Sequence, residues 1–363
     1  MIFAVVIDDS AFNRVTITRM LESAGDVRVV ATAVDGEDGI KQVLRHRPDV
    51  VTLDLEMPGM DGFSFLRWLM ASRPTPVIVV SSRASDRNVF KALELGAVDF
   101  IGKPGGRVSP RLEEISSDLI SKVRQCANVR LDNVRKRIRD EEPAPVPAAP
   151  LPPAAPGAID CVVIGASTGG PPALQMLVQS LPMLPSPIVI AQHMPPVFTR
   201  LFAERVNRLG GFAVKEAEDG EPLRRGGIYI APGGMQTTLR RDSGGLRARV
   251  QPRREADLYA PSVNKLFSSA AEVCGEKLVA VVLTGMGDDG AAGIRQVASR
   301  GGITLAEAAS TAIIYGMPAE AIRTGAVREV LPLPEIADAI ARHCLGEARE
   351  GSSERAPGER NDE

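Results

Sequence analysis

Aromatic residues make up only 4% of this chain, with a single tryptophan and three tyrosines. That scarcity disfavours a base-stacking platform for single-stranded nucleic acid, which needs an aromatic face for each successive base. Charge is nearly balanced, 43 basic against 45 acidic residues, so the excess of Lys and Arg that phosphate-backbone binding demands is missing as well. The four cysteines, Cys126, Cys161, Cys274 and Cys344, are widely spaced and form no CxxC pair. Neither a zinc site nor a disulfide framework is suggested, and a reducing, cytoplasmic compartment is expected. No apolar run approaches the roughly 18 residues of a membrane span. The opening run Met1 to Ile7 has no basic lead and ends in Asp8-Asp9, so it reads as a first strand and not as a signal peptide. Histidine is scarce too, with only His46, His193 and His343, and that scarcity allows assignment by elimination.

What is present suffices for a sizeable core: 363 residues, 44% hydrophobic and 24% charged. At about 150 residues per domain this predicts two domains. Residues Glu141 to Gly157 are Pro/Ala-rich and read as an extended spacer. The expected division is a first domain over 1–124, a helical extension and linker over 125–157, a second domain over 158–346, and a disordered polar tail over 347–363. In both domains short apolar runs alternate with helical patterns. The strand candidates are Ile2–Ile7, Val27–Ala33, Val50–Leu53, Val77–Val80 and Phe100–Ile101, then Cys161–Ile164, Ile188–Ala191, Ile228–Ile230 and Leu278–Leu283. Such alternation predicts an α/β protein with two doubly wound parallel sheets, the first of flavodoxin-like type. From Arg111 to Arg139 runs a long helical pattern whose basic end reads as a solvated face.

In doubly wound sheets functional groups gather at the carboxyl ends of strands. Asp8 and Asp9 follow the first strand, Asp54 the third, Ser81 the fourth and Lys103 the fifth. Carboxylates sharing a pocket repel one another unless a cation holds them. Oxygen-only ligands favour Mg²⁺, which keeps waters and accepts one or two carboxylates plus a phosphate. A lysine ammonium and a hydroxyl beside them suit phosphoryl transfer to a carboxylate. One Asp at a strand end is commonly a turn or cap residue; several matching strand ends together are harder to dismiss. With Asp-Asp-Ser, Leu-Asp-Leu-Glu-Met-Pro-Gly-Met-Asp-Gly, Ser-Ser and Lys-Pro in order, residues 1–124 resemble the receiver domain of bacterial response regulators. The resemblance implies that Asp54 is the phosphoacceptor and that Asp9 and Asp54 ligate Mg²⁺, with Asp8 acting through water and Glu56 through its carbonyl. It also implies that Ser81 and Phe100 are the switch residues with Lys103, and that Lys103-Pro104 often has a cis peptide.

In the second domain Gly165-Ala166-Ser167-Thr168-Gly169 satisfies G-x-S-x-G between a strand and a helical run. A phosphate loop is the poorer reading, because G-x-G-x-x-G is absent and no P-loop lysine follows. A plain turn with a serine near a helix cap competes with a nucleophile elbow. A nucleophilic serine needs a base. His46 reads as a surface helix residue and His343 as a packing or surface residue of the last helix. That leaves His193, in Gln192-His193-Met194-Pro195 at a strand end. An orienting carboxylate could be Asp288 or Asp289, which follow the run Leu278–Leu283, and one of the two could merely cap the next helix.

Together, Ile-Gly-Ala-Ser-Thr-Gly-Gly, Gln-His-Met-Pro-Pro, Lys-Glu-Ala-Glu-Asp-Gly, Tyr-Ile-Ala-Pro-Gly and Leu-Thr-Gly-Met-Gly-Asp-Asp-Gly resemble the catalytic domain of the chemotaxis protein-glutamate methylesterase (CheB) family, over about residues 158–345. The resemblance implies nucleophile Ser167, base His193, orienting Asp289, a backbone oxyanion donor near Met286, and Thr168 shaping the site. It implies a phosphorylation-activated carboxylic ester hydrolase that also deamidates glutamines, with no cofactor for the esterase. Its substrates would be the cytoplasmic helices of methyl-accepting chemoreceptors and its phosphodonor a histidine kinase. A monomer is expected, with neither nucleic acid nor membrane insertion. One departure stands out. The family's usual Arg-Pro-Ser-Val-Asp reads Ala260-Pro261-Ser262-Val263-Asn264, without the cation and the carboxylate. It favours, as an alternative, a receptor-docking regulator of a non-motility chemosensory pathway with little esterase activity.

Overall fold

Short apolar runs, most of them Val/Ile-rich and too short for a helix, build two parallel sheets. The structure is a computed structural model that describes residues 1–82, 86–103, 115–126, 129–139, 151–153 and 158–346. The first sheet comprises β1 (Ile2–Ile7), β2 (Val27–Ala33), β3 (Val50–Leu53), β4 (Val77–Ser82) and β5 (Asp99–Lys103) in the order β2-β1-β3-β4-β5. Five helices connect and cover it: α1 (Ala11–Glu22), α2 (Gly36–His46), α3 (Gly62–Ser72), α4 (Asp86–Glu94) and α5 (Ser116–Cys126). Ser10, Asp35 and Asp61 each accept a backbone N–H three residues on, so α1 to α3 start where a side chain satisfies an orphan donor. The order reverses at β1, which brings the ends of β1, β3 and β4 together. β5 is left at the sheet's outer edge.

The second sheet has seven strands: β6 (Cys161–Ala166), β7 (Ile188–Gln192), β8 (Ala213–Glu216), β9 (Gly227–Ile230), β12 (Leu278–Val282), β13 (Ile303–Glu307) and β14 (Glu329–Leu331). They run parallel in the order β14-β13-β12-β6-β7-β9-β8. Here β6, β7 and β12 are buried along their whole length, which is why their sequences read as unbroken apolar runs. A separate antiparallel hairpin, β10 (Met235–Asp242) with β11 (Gly245–Pro252), precedes α9 (Val263–Cys274). The remaining helices are α7 (Gly170–Ser180), α8 (Phe198–Asn207), α10 (Ala291–Ser299), α11 (Met317–Arg323) and α12 (Leu333–Leu345). All four cysteines are buried and unpaired, and burial pushes the Cys274 and Cys344 thiols up to about 11.

The helical pattern expected over Arg111 to Arg139 is not one solvated helix. After α5, Val129 and Arg130 leave the helix and a second one, α6 (Leu131–Arg139), begins; residues 111–114 and 127–128 lie outside the described residues. The apolar side of this segment docks, while Lys136 on its basic side stays exposed. Val134 is buried against the same core as Ile313 and Ile314, and Asn133 Nδ2 donates to the Ala312 carbonyl at 2.8 Å. The amphipathic stripe is real; its partner is the second domain. Of the Pro/Ala-rich spacer only 151–153 fall among the described residues, where the Pro152 carbonyl accepts from Arg225.

Further contacts join the two sheets' domains. The Phe90 and Phe202 rings stack at 5.7 Å, and Phe100 meets Phe198 at 4.6 Å. Glu94 pairs with Arg205 and accepts from Gln175 Nε2 at 3.3 Å. One face of the first domain, built from α4, β5, α5 and α6, therefore rests on α7, α8 and the 309–314 loop of the second.

Candidate functional site

At the ends of β1, β3 and β5 the structure brings together the acidic groups that the sequence placed there. Lys103 Nζ lies 2.7 Å from Asp8 Oδ2 and 2.5 Å from Asp54 Oδ2, with all three side chains buried. Asn13 Nδ2 donates to the Asp8 carboxylate, and the Glu56 amide donates to Asp54 Oδ1 at 3.3 Å. Asp8, Asp9 and Asp54 offer oxygens that all lie within 4.8 Å of one another. One ammonium cannot neutralise three carboxylates. Burial accordingly pushes the Asp54 carboxyl up, against the pull of Lys103. An all-oxygen donor set with surplus negative charge fits a hard divalent ion such as Mg²⁺. Ser81 is buried at the end of β4 and Phe100 is buried in β5. Lys103 is in place, but Pro104 lies outside the described residues, and so does the state of that peptide bond.

The second site forms where the strand order of the larger sheet reverses, between β6 and its neighbours β7 and β12. Ser167 follows β6 in a tight turn: its N–H donates to the Thr284 carbonyl at 3.0 Å, and its own carbonyl accepts from Gly170 and from Gln192 Nε2. Gly169, with φ +74°, closes that turn in the left-handed region and leads into α7. His193 follows β7, tied back by its N–H to the Ala166 carbonyl. Asp289 follows β12 and is 1% exposed.

His193 Nε2 and Asp289 Oδ2 are 2.8 Å apart. An ionised carboxylate only accepts, so Nε2 carries the proton and Nδ1 is the nitrogen left to take one. Asp289 also accepts from Ser262 Oγ and from the N–H groups of Val263 and Asn264, at 3.0, 2.8 and 2.8 Å. Those amides open α9, so the carboxylate sits at a helix N-terminus. Burial alone would raise its carboxyl, but the His193 bond and the two amides outweigh it and hold it below the usual range. The choice that the residues left open thus resolves geometrically: Asp289 meets the histidine, while Asp288 is exposed. His343 pairs with Glu329 at 2.8 Å, and His46 sits in the last turn of α2.

Thr168 and Met286 are placed differently from each other. Met286 is 39% exposed beside the turn of Gly287. Thr168 is buried, and its hydroxyl lies 2.7 Å from Asp99 Oδ2 of β5 and 2.8 Å from Gln125 Oε1 of α5. Asp99 is itself held by Lys122 at 2.9 Å. The residue next to Ser167 is thus bonded to the domain that carries Asp54. The departure at Asn264 also finds a role: Asn264 Oδ1 accepts from Gly290 and Gly293 N–H at 3.0 and 2.8 Å, pinning the loop that presents Asp289. Sequence reasoning missed Tyr259, whose ring stacks on His193, and Gln236, which braces the segment around it.

An acidic pocket with a buried lysine in one α/β domain, docked beside a serine, histidine and aspartate on one rim of another, is the build of a response regulator with a hydrolase output. Comparison with known proteins agrees. Residues 162–340 match the CheB methylesterase family and residues 4–109 the response regulator receiver domain. The chain is 47% identical over 358 residues to "Protein-glutamate methylesterase/protein-glutamine glutaminase 3" of Geobacter sulfurreducens, covering 94% of this chain and 96% of that one. It is 48% identical over 341 residues to "Protein-glutamate methylesterase/protein-glutamine glutaminase 1" of Myxococcus xanthus, with the same 94% and 96% coverage. The crystal structure of the Thermotoga maritima CheB methylesterase catalytic domain is 40% identical, covers 50% of this chain and 96% of that one, and aligns with a TM-score of 0.49. The chain belongs to the CheB methylesterase family, in the form that carries an N-terminal receiver domain.

Proposed function

We propose that Ser167 is the nucleophile, His193 the general base and Asp289 the orienting acid of the reaction. As a member of its family the chain is a protein-glutamate methylesterase and protein-glutamine glutaminase, a carboxylic ester hydrolase. His193 Nδ1 takes the Ser167 proton as Oγ bonds to the γ-carbonyl carbon of a glutamyl methyl ester. The tetrahedral oxyanion is stabilised by backbone N–H groups, that of Met286 among them. Its collapse breaks the bond to methoxide, which leaves as methanol with the proton from His193. Water then repeats the sequence, its proton passing to His193, and frees glutamate; a glutamine side chain would release ammonia by the same route. The observation that carries this reading is the His193–Asp289 bond, with every other lone pair of Asp289 satisfied. It also answers the alternative of a docking regulator with little activity, because the departure at Ala260 and Asn264 leaves the geometry whole. The substrates are glutamyl methyl esters on the cytoplasmic helices of chemoreceptors. The test is methanol release from methylated receptor membranes, with and without a small phosphodonor; no release in either condition rejects the reading.

The receiver regulates this site by covering it, and Asp54 accepts the phosphoryl group from a histidine kinase. Asp8, Asp9, Asp54 and the Glu56 carbonyl would hold Mg²⁺, which when bound neutralises the incoming phosphoryl charge. Lys103 would then turn from the Asp54 carboxylate to the phosphoryl oxygens, with Ser81 as a further donor. Lys103 ends the strand whose first residue is Asp99, the partner of Thr168. Four residues of strand, about 13 Å at ordinary rise, separate phosphoacceptor chemistry from the covered serine. Asp54→Asn removes the acceptor but keeps the shape, so basal hydrolysis stays low and a small phosphodonor no longer raises it. Radiolabelled phosphate that still enters this variant would show the acceptor to be another residue.

A further inference from the structure

His193 is held on two sides. Along its edge, Nε2 meets Asp289. Across its face lies Tyr259, with ring centroids 4.6 Å apart and planes 4° from parallel. This stack is built, not incidental. The Tyr259 carbonyl accepts from Gln236 Nε2 at 2.7 Å, the same nitrogen reaches Asp257 Oδ2 at 3.0 Å, and Gln236 Oε1 accepts the Ser262 N–H at 3.0 Å. Gln236 is buried on the β10 hairpin strand, so one side-chain amide fixes the 257–262 segment at three points. That segment delivers Tyr259 to the face of the imidazole and Ser262 to the far side of Asp289. The Tyr259 hydroxyl reaches further, to the loop that carries Met286. A Cβ on Gly287 would stand 2.8 Å from it, and Gly287 has φ +86°, so no other residue suits that position.

The imidazole becomes a cation each time it takes a proton from Ser167 or from water. An aromatic face at this distance attracts a cation more than a neutral ring. A parallel neighbour also stops the imidazole from tilting about its single bond to Asp289. Stabilisation that grows as charge develops raises turnover and leaves substrate affinity alone. Burial, with Asp288 and Asp289 adding to it, holds the Tyr259 phenol above its usual range, so the hydroxyl stays neutral and the ring face is the working part.

We infer that Tyr259 is a positioning residue for the acyl transfer, clamping the His193 ring in plane and favouring its charged form. The inference rests on the reading of His193 as general base. It is tested in the full-length chain with Tyr259→Phe, Tyr259→Leu and Tyr259→Gln, treated with a small phosphodonor. One measurement is the rate at which a fluorophosphonate labels Ser167, which needs no natural substrate. The other is kcat and KM for methanol release from methylated receptor membranes. Leu and Gln should each lose about tenfold in labelling rate and in kcat, with KM within about twofold. Phe should stay within about twofold of the parent, and all the variants should melt as it does. Labelling at the parental rate in the Leu and Gln variants overturns the inference, and so does a Phe variant that falls as far as they do. Should neither of those two variants melt cooperatively, Tyr259→Phe still decides, because slowed labelling there assigns the effect to the hydroxyl. If the parent labels but releases no methanol, the methylesterase reading fails while the labelling ratios still decide the role of Tyr259.

Discussion

Replacing Ser167 with alanine should lower ester hydrolysis by on the order of a thousandfold or more, while the cooperative melt of the chain is preserved. The substitution deletes one oxygen from a half-buried side chain. The turn around it is held by backbone bonds from Ser167 N–H to Thr284 and from Gly170 N–H to the Ser167 carbonyl, and these do not involve the hydroxyl. His193→Ala should be about as severe, and the double variant scarcely worse, because groups that act as a unit do not add. Asp289→Asn is different in kind. It keeps the shape but turns an acceptor into a group that can donate, so His193 loses the tautomer that leaves Nδ1 free. Methanol release by Ser167→Ala at more than a tenth of the parental rate would remove serine acyl transfer from consideration.

A fragment beginning near Ala158 should hydrolyse substrate at least as fast as the phosphorylated full-length chain, and roughly tenfold or more above the unphosphorylated one. Among the described residues the closed arrangement includes two aromatic pairs, the Glu94 cluster, Arg130 and Asn133 on the 309–314 loop, and Thr168 with Asp99 and Gln125. Interfaces of this sort within a chain are commonly reversible. Shifting such an equilibrium from mostly closed to mostly open takes only a few kcal/mol, within reach of a phosphoryl group that draws Lys103 away from Asp54. Removing residues 1–157 removes the closed state altogether. The fragment bares Phe198 and Phe202, so its fold should be checked by circular dichroism and thermal melting before rates are compared. A well-folded fragment no faster than the unphosphorylated parent would mean that the receiver serves delivery to substrate and does not cover the site.

Both sites were legible in the sequence to the extent that chemistry sits at strand ends. Asp8, Asp54 and Lys103 each follow an apolar run, and the parallel topology that such runs imply leaves few places for them but one rim. Ser167 and His193 became a pair through the scarcity of histidine and the same rim rule, which left Asp288 and Asp289 both open; only the family resemblance pointed to Asp289. Contacts made across long separations were not legible. Nothing local marks Tyr259 as a partner of His193, or Gln236 as the brace of a segment more than twenty residues on. The hairpin that presents Gln236 escaped notice because β10 ends in the exposed charges Arg240, Arg241 and Asp242, which blurs the alternation a strand should show. Asn264 looked like the loss of a charge toward substrate; the structure turns its oxygen inward, to two amides at the start of α10 that need only an acceptor. The break between α5 and α6 was hidden because the apolar stripe continues through it while its partner changes from one domain to the other.

The outermost strand of the receiver sheet has a consequence beyond catalysis. Among the described residues β5 pairs with β4 alone, and a lone strand margin is a template for unwanted pairing. In the docked form the side chains of Asp99 and Phe100 on this strand meet Thr168 and Phe198, so the catalytic domain lies against the strand's side chains. Separating the two domains would uncover Phe90, Phe100, Phe198 and Phe202 together. If activation opens the chain as proposed, the active form is thus the stickier one. Its solubility and its activity pull in opposite directions, and brief activation followed by reclosure suits such a chain better than a permanently open state.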